Sequence, residues 1–230
     1  MSAFAKLVGK FPLFEGFDQE ELDAISSLLI EKRYPRGSLL FTEGALGDEC
    51  YIIKTGTVKI YRIDDTKEVT LALLREGDYL GEMAMMRKGL TRSATAEVME
   101  ASAIYSLKGS DFVSFLEEKP KMCLKLLEGT MERLRRANEQ IYDLTFLNLR
   151  ARILKAIIRL ADEHGIQTDE GMRIPIKLSH QELANITGAT RFAVSKIMVE
   201  LKNEQIIDIT NQMFTILQLD QMRKMYAITI

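Results

Sequence analysis

The spacing of apolar positions changes period along this chain, and each period predicts a different element. Over residues 34–108, short runs alternate apolar and polar. Val58 and Ile60 share one face with Tyr61 and Ile63 on the other, and Val69, Leu71 and Leu73 form a partner run. Period two is a strand signature, because successive side chains leave a strand on opposite faces. Asp64, Asp65, Thr66 and Lys67 supply the turn between the two runs, and glycines at 37, 44, 47, 56, 77, 81 and 89 punctuate the rest. Many short strands between such turns predict a sandwich or jelly roll. A helix over Gln19–Leu29 precedes it, with Asp18 as N-cap.

From Pro120 to Leu147 the period lengthens. Leu124, Leu127, Met131, Leu134, Asn138, Ile141 and Thr145 recur in alternating steps of three and four, the rhythm of a coiled-coil seam. A lone Asn in such a seam fixes register and favours two strands. A helix packed on its own domain is the other reading of this stripe. Beyond it, Arg150–His164 carries an apolar stripe at Ile153, Ile157, Leu160 and Ala161, with Gly165 as C-cap. A short hairpin is expected within Ile166–Ile176, two short helices over Gln181–Thr187 and Arg191–Glu204, and a closing hairpin near Ile206–Ile216.

The two short helices have the spacing of a helix-turn-helix. Ser179 caps the first, with Glu182 completing a capping box; Gly188 occupies the turn and Thr190 caps the second. Leu183, Ile186, Val194, Ile197 and Leu201 form an inner face, which leaves Thr190, Arg191, Phe192, Ser195 and Lys196 outward. An ordinary helical hairpin has the same inner face. Phe192 on an otherwise solvated surface, flanked by Arg191 and Lys196, points instead to a recognition helix. Ser179, His180 and Gln181 are candidates for phosphate contacts.

Charge agrees in sign. The whole chain carries −2, but residues 149–230 hold +2 and the remainder −4. Cys50 and Cys123, read as buried or half-buried thiols, are too few for a cysteine-built metal site. Met1–Lys10 carries Lys6 and Lys10 without an apolar core, and no apolar run is long enough for a membrane span, so a cytoplasmic chain is expected. No H-E-x-x-H motif, Walker loop or nucleophile elbow is present, so an enzyme is not expected.

One segment carries ligand chemistry: GEMAMMRKGLTRSA, Gly81–Ala94. Arg92 has the geometry to grip a phosphate through two parallel hydrogen bonds, with Ser93 and backbone N–H groups completing the grip. Glu82, once ionised, accepts a ribose hydroxyl. A structural Glu82–Arg92 ion pair explains the same residues.

The sequence resembles the CRP/FNR family of bacterial regulators over nearly its whole length. The resemblance rests on this cassette, on DLTFLNLRARILKAI at Asp143–Ile157, and on TGATRFAVSKIMVELK at 187–202. It implies an α+β chain with three parts: a double-stranded β-helix (jelly-roll) sensor of the cyclic-nucleotide-binding type over 1–118, a dimerisation helix over 119–147, and a winged helix-turn-helix over 148–230. It implies ligand contacts at Gly81, Glu82, Met83, Ala84, Arg92 and Ser93, with the adenine read from the dimer helix. There the threonine–serine pair of cyclic-AMP-responsive members is replaced by Ala137 and Asn138. Ala137 loses a hydrogen bond of about 1 kcal/mol net, whereas Asn138 both donates and accepts. Cyclic AMP is the expected effector; cyclic GMP, ligand independence, or a cyclic-nucleotide-binding subunit without DNA binding are the alternatives. No cofactor is required. Two cysteines do not match the four-cysteine oxygen-sensing branch, and His164 and His180 lie outside the sensor half, unlike the haem-holding histidine of the carbon-monoxide branch.

The recognition helix also departs from the cyclic-AMP receptor's pattern of arginine, glutamate and, four residues later, arginine. Arg191 still forks to guanine, Phe192 packs on a thymine methyl, and Lys196 makes a point contact. The expected partners are a pseudo-palindromic double-stranded DNA operator, a second copy of the chain and RNA polymerase, the last through the Ile166–Arg173 loop.

Overall fold

The computed structural model describes residues 7–87 and 89–229, so the expectations involving Lys6 and Lys88 lie outside it. The chain packs as two units. One holds the residues up to 62 with 72–135, the other holds 63–71 with 136–230.

Two four-stranded antiparallel sheets make the sandwich, which lies in the first unit except for the Ile63–Leu71 stretch. The first sheet joins β1 (Ile30–Tyr34), β8 (Ser102–Lys108), β3 (Glu49–Thr55) and β6 (Tyr79–Leu80) in that order. The second joins β2 (Leu39–Phe41), β7 (Thr95–Val98), β4 (Val58–Asp64) and β5 (Lys67–Leu74). The pleat of β3 sorts its residues. Tyr51 and Ile53 pack with Val58, Ala96, Val98 and Ile104 between the sheets. Cys50 and Ile52 point the other way, into a core of Phe11, Phe14, Ile25, Tyr105, Leu107, Phe112 and Met122. This is the jelly-roll arrangement that the alternating runs predict. The β4–β5 turn has Asp65 at φ +46°, within the expected turn sequence.

Around that second core lie α1 (Gln19–Leu28), α2 (Gly109–Glu118) and the start of α3 (Pro120–Phe146). The Asp18 carboxylate accepts from the Glu21 N–H at 2.9 Å, and Glu21 returns the favour to the Asp18 N–H, a full capping box. Helix α2 and strand β1 lie outside the expected elements. Cys50 is buried, and burial pushes its thiol well above the usual range. Cys123 is exposed on α3, against expectation, because it sits away from the Met122 face that α3 buries.

The second unit is built on α4 (Leu149–His164), whose N-cap Asn148 accepts from the Ala151 N–H at 3.0 Å. Its Ile153, Leu154 and Ile157 are fully buried. Gly165 ends it in extended rather than left-handed backbone. A Cβ there would lie 2.2 Å from the Ala161 carbonyl oxygen, so close approach is what requires glycine. A second antiparallel sheet system follows, ordered β11 (Ile207–Thr210), β12 (Met213–Ile216), β10 (Gly171–Ile174) and β9 (Ile166–Thr168). Helices α5 (His180–Thr187) and α6 (Arg191–Asn203) precede its wing hairpin, and α7 (Leu219–Thr229) closes the chain. The stripe of α3 stays open to solvent: Leu124, Leu127, Met131, Leu134 and Ile141 are each more than half exposed.

Candidate functional sites: a buried cassette and an exposed helix

Strand β6 ends at Gly81, which takes φ +87° to turn the chain into a 3-10 turn over Glu82–Met85. The return segment brings Arg92 beneath that turn, tied by its N–H to the Ala45 carbonyl at 2.8 Å. The Arg92 guanidinium is 4% exposed and lies 4.3 Å from the centre of the Phe41 ring. Nη1 donates to the Gly81 carbonyl and Nη2 to the Glu49 carbonyl, both at 2.7 Å, while Nε has no partner among the described residues. A Cβ on Gly47 would meet the guanidinium at 2.6 Å and one on Gly81 at 2.5 Å. The two glycines therefore let backbone close over a buried cation.

Glu82 is 5% exposed and does not pair with Arg92. Its Oε1 accepts from Nη1 of Arg133 on α3 at 2.6 Å, and Oε2 is buried without a partner among the described residues. Arg133 also donates to the Tyr79 carbonyl and stacks 4.5 Å over the Tyr79 ring. This removes the simple Glu82–Arg92 ion pair and adds a residue that sequence reasoning missed. Its one signal is position: Arg133 falls off the seam, between Met131 and Leu134, and so faces its own unit. Of the other cassette residues, Ala84 is buried and Gly81 half-buried, whereas Met83 and Ser93 are exposed. Ala137 and Asn138 are exposed on α3 and belong to the second unit.

The helix-turn-helix has the expected scaffold. Ser179 and Glu182 form the capping box, Gly188 turns the chain at φ +66°, and the Thr190 hydroxyl accepts from the Ala193 N–H at 3.3 Å. Leu183, Val194, Met198 and Leu201 are fully buried. Ile197, expected on the inner face, is half-buried, and Met198 takes the deep position because α6 rotates that column inward. Arg191 and Lys196 are exposed, and Phe192 is 83% exposed. Ser179, His180, Gln181 and Ser195 have local partners as well. The Ser179 hydroxyl serves the cap, and His180 Nδ1 lies 2.6 Å from Ser195 Oγ. Gln181 donates to Asn185 at 2.8 Å.

A β sandwich with a buried, glycine-flanked arginine, joined in one chain to a winged helix-turn-helix, is the architecture of a DNA-binding transcription regulator. Residues 31–119 match the cyclic nucleotide-binding domain, and residues 151–225 match the Crp-like helix-turn-helix domain. The chain is 30% identical to the CRP-like cAMP-activated global transcriptional regulator of Mycobacterium tuberculosis, over 85% of this chain and 87% of that one. It is also 30% identical to the cyclic AMP receptor protein of Thermus thermophilus, over 85% and 88% of the two chains. Its fold is similar to that of the regulator CLP of Xanthomonas campestris, with a TM-score of 0.75 at 19% identity, covering 86% of this chain and 99% of that one. The chain belongs to the CRP/FNR family. It is a CRP-like transcription regulator, and the members of that family it matches are not enzymes. The helix-turn-helix match sets aside a nucleotide-binding subunit without DNA binding. Among the described residues, no helix is long and apolar enough to cross a membrane.

Proposed function

We propose that this regulator is a homodimer switched by cyclic AMP, bound at the cassette of residues 1–118 and at the dimer helix 119–147, with DNA read by residues 148–230. The observation that carries the effector reading is a pair of buried, unpartnered polar atoms, Glu82 Oε2 and Arg92 Nε. Leaving such atoms unpaired costs ~1–3 kcal/mol each, more when charged, and a ligand with a hydroxyl and an anionic phosphate relieves both. In this reading Arg92, Ser93 and the backbone of Gly81–Ala84 hold the phosphate, and Glu82 accepts from the ribose 2′-hydroxyl. Arg133 acts as a positioning residue that orients the Glu82 carboxyl group. The M. tuberculosis relative is described as cAMP-activated, which favours the same ligand.

The exposed α3 stripe supports the dimer, since five large apolar side chains on one helix face call for a second copy. Asn138 of one protomer then meets the adenine edge held by its partner's cassette, while Ala137 contributes no hydrogen bond. Ligand binding favours the DNA-competent arrangement because it bonds that arrangement more tightly, with the joint at Phe146, Leu147 and Asn148 taking up the change. On the operator, Arg191 forks to a guanine, Phe192 packs on a thymine methyl and Lys196 makes a point contact. The Ile166–Arg173 hairpin is the surface offered to RNA polymerase.

A second reading has its own support. Both Arg92 Nη groups already donate to carbonyls, as they would in a member that keeps the cassette for structure alone. Calorimetry with cyclic AMP, cyclic GMP and cyclic di-GMP on wild type and Arg92→Ala separates the two. Cyclic AMP should bind most tightly and weaken about a hundredfold in the variant, the scale of one or two charge-assisted hydrogen bonds. No heat with any nucleotide would leave the ligand-independent reading standing.

A further inference from the structure

Ser195 occupies an outward position on α6, where a hydroxyl could touch a base, yet its oxygen lies 2.6 Å from His180 Nδ1 at the first residue of α5. We propose that Ser195 reads no base: it positions His180 as a donor to the DNA backbone, and that contact takes up one proton when DNA binds. The inference rests on the helix-turn-helix reading and concerns how its first helix grips phosphate.

The chemistry of the pair supports this assignment. A serine hydroxyl both donates and accepts. Against a neutral imidazole it donates to Nδ1, which leaves the ring proton on Nε2 as an outward donor. Against an imidazolium it accepts from Nδ1–H, and Nε2–H remains outward. The link therefore survives both charge states, and Nε2 is a donor in each. The N-terminal end of a first helix is where the backbone is crossed, and phosphate contacts fix register rather than sequence.

The surroundings set the protonation. Burial, followed by the Arg191 guanidinium of α6, holds His180 below the usual histidine range in the unbound protein. Lys196 follows Ser195 on α6, and Lys177 precedes the helix. Glu182 on α5 is turned back to the Ser179 N–H. Arg152, Lys155 and Arg159 of α4 line a cleft with Asp143 and with Ile186 and Thr187 at the far end of α5; Lys155 is paired with Asp143 at 2.6 Å, and Glu68 accepts from Asn185 of α5 at 2.9 Å. A phosphate against Nε2, together with DNA contacts that offset Arg191, reverses the local field. The ring then takes a proton from solvent as the complex forms. Because the complex holds more protons than the separate partners, affinity rises as pH falls, and it flattens above the bound-state pKa.

The test uses a duplex selected in vitro by the wild-type chain, with affinity measured from about pH 5.5 to 8 at fixed salt. Wild type should tighten toward low pH, by at most about tenfold per pH unit for each proton taken up, one per protomer of the dimer. His180→Gln keeps a donor but does not titrate, so its profile should be flat. Ser195→Thr should keep the wild-type profile. Ser195→Ala should weaken binding several-fold while leaving the preferred base at every position unchanged. The chain has two histidines, so ring signals in the nuclear magnetic resonance spectrum report His180 directly, and its pKa should rise on adding duplex. An unchanged profile in His180→Gln, or an altered base preference in Ser195→Ala, overturns the proposal alone. Absence of DNA binding by every variant overturns the helix-turn-helix reading and this proposal with it.

Discussion

Arg92 and Arg191 stand at the centres of the two sites, and their surroundings are opposite. Arg92 is sealed beneath Phe41, 4% exposed, with both terminal nitrogens held by carbonyls. Arg191 stands in solvent at the first position of α6, next to a Phe192 that is 83% exposed. In the cassette, polar groups have lost their water, so each missing partner carries a large penalty and selectivity follows from filling it. On α6 the groups keep their water until DNA arrives, so what they contribute is charge attraction, screened by salt, and shape against base edges. The cassette is thus also part of what holds its unit together, and the recognition face is not.

That contrast orders the expected effects. Arg133→Met removes the cation beside buried Glu82, and should cost about 2–3 kcal/mol of stability by urea denaturation, since Arg133 is itself 36% exposed. Adding Glu82→Gln should recover part of the loss, because a buried amide does not call for a cation beside it; no recovery would contradict a stabilising Arg133–Glu82 pair. Arg191→Ala should leave the urea midpoint unchanged and weaken operator binding about ten- to a hundredfold, with relaxed preference at one base. A drop in stability in this variant would erase the distinction between the sites. Thr190→Ala removes the cap of α6, and should lower stability by about 1 kcal/mol. Its DNA affinity should fall only to the extent that the first turn of α6 frays.

Periodicity and capping make the scaffold legible in the sequence. The α3 stripe, the Ser179–Glu182 box, Gly188 at the turn and the Asp64–Lys67 turn all follow from local rules that act over a few residues. Helix α2 was hidden because Gly109 opens it and its apolar set, Phe112, Phe115 and Leu116, is too short to separate from a buried strand. At the sites, the motif residues were visible but their partners were not. Glu82 meets Arg133, which lies 51 positions away, and Ser195 meets His180 across a turn. Such pairs depend on how helices pack, which no local pattern encodes. Arg92 and Glu82 looked like a pair because they share a motif; the fold gives each a different partner.

In the proposed switch, occupancy of the buried cassette controls the exposed helix. The direct measurement is the affinity of the wild-type chain for its selected duplex as cyclic AMP is titrated, with Arg92→Ala in parallel. Affinity should rise about 5- to 150-fold at saturation in wild type, the usual span of coupling between two sites, and stay flat in the variant. Cyclic AMP that binds the cassette while duplex affinity stays constant would contradict the account.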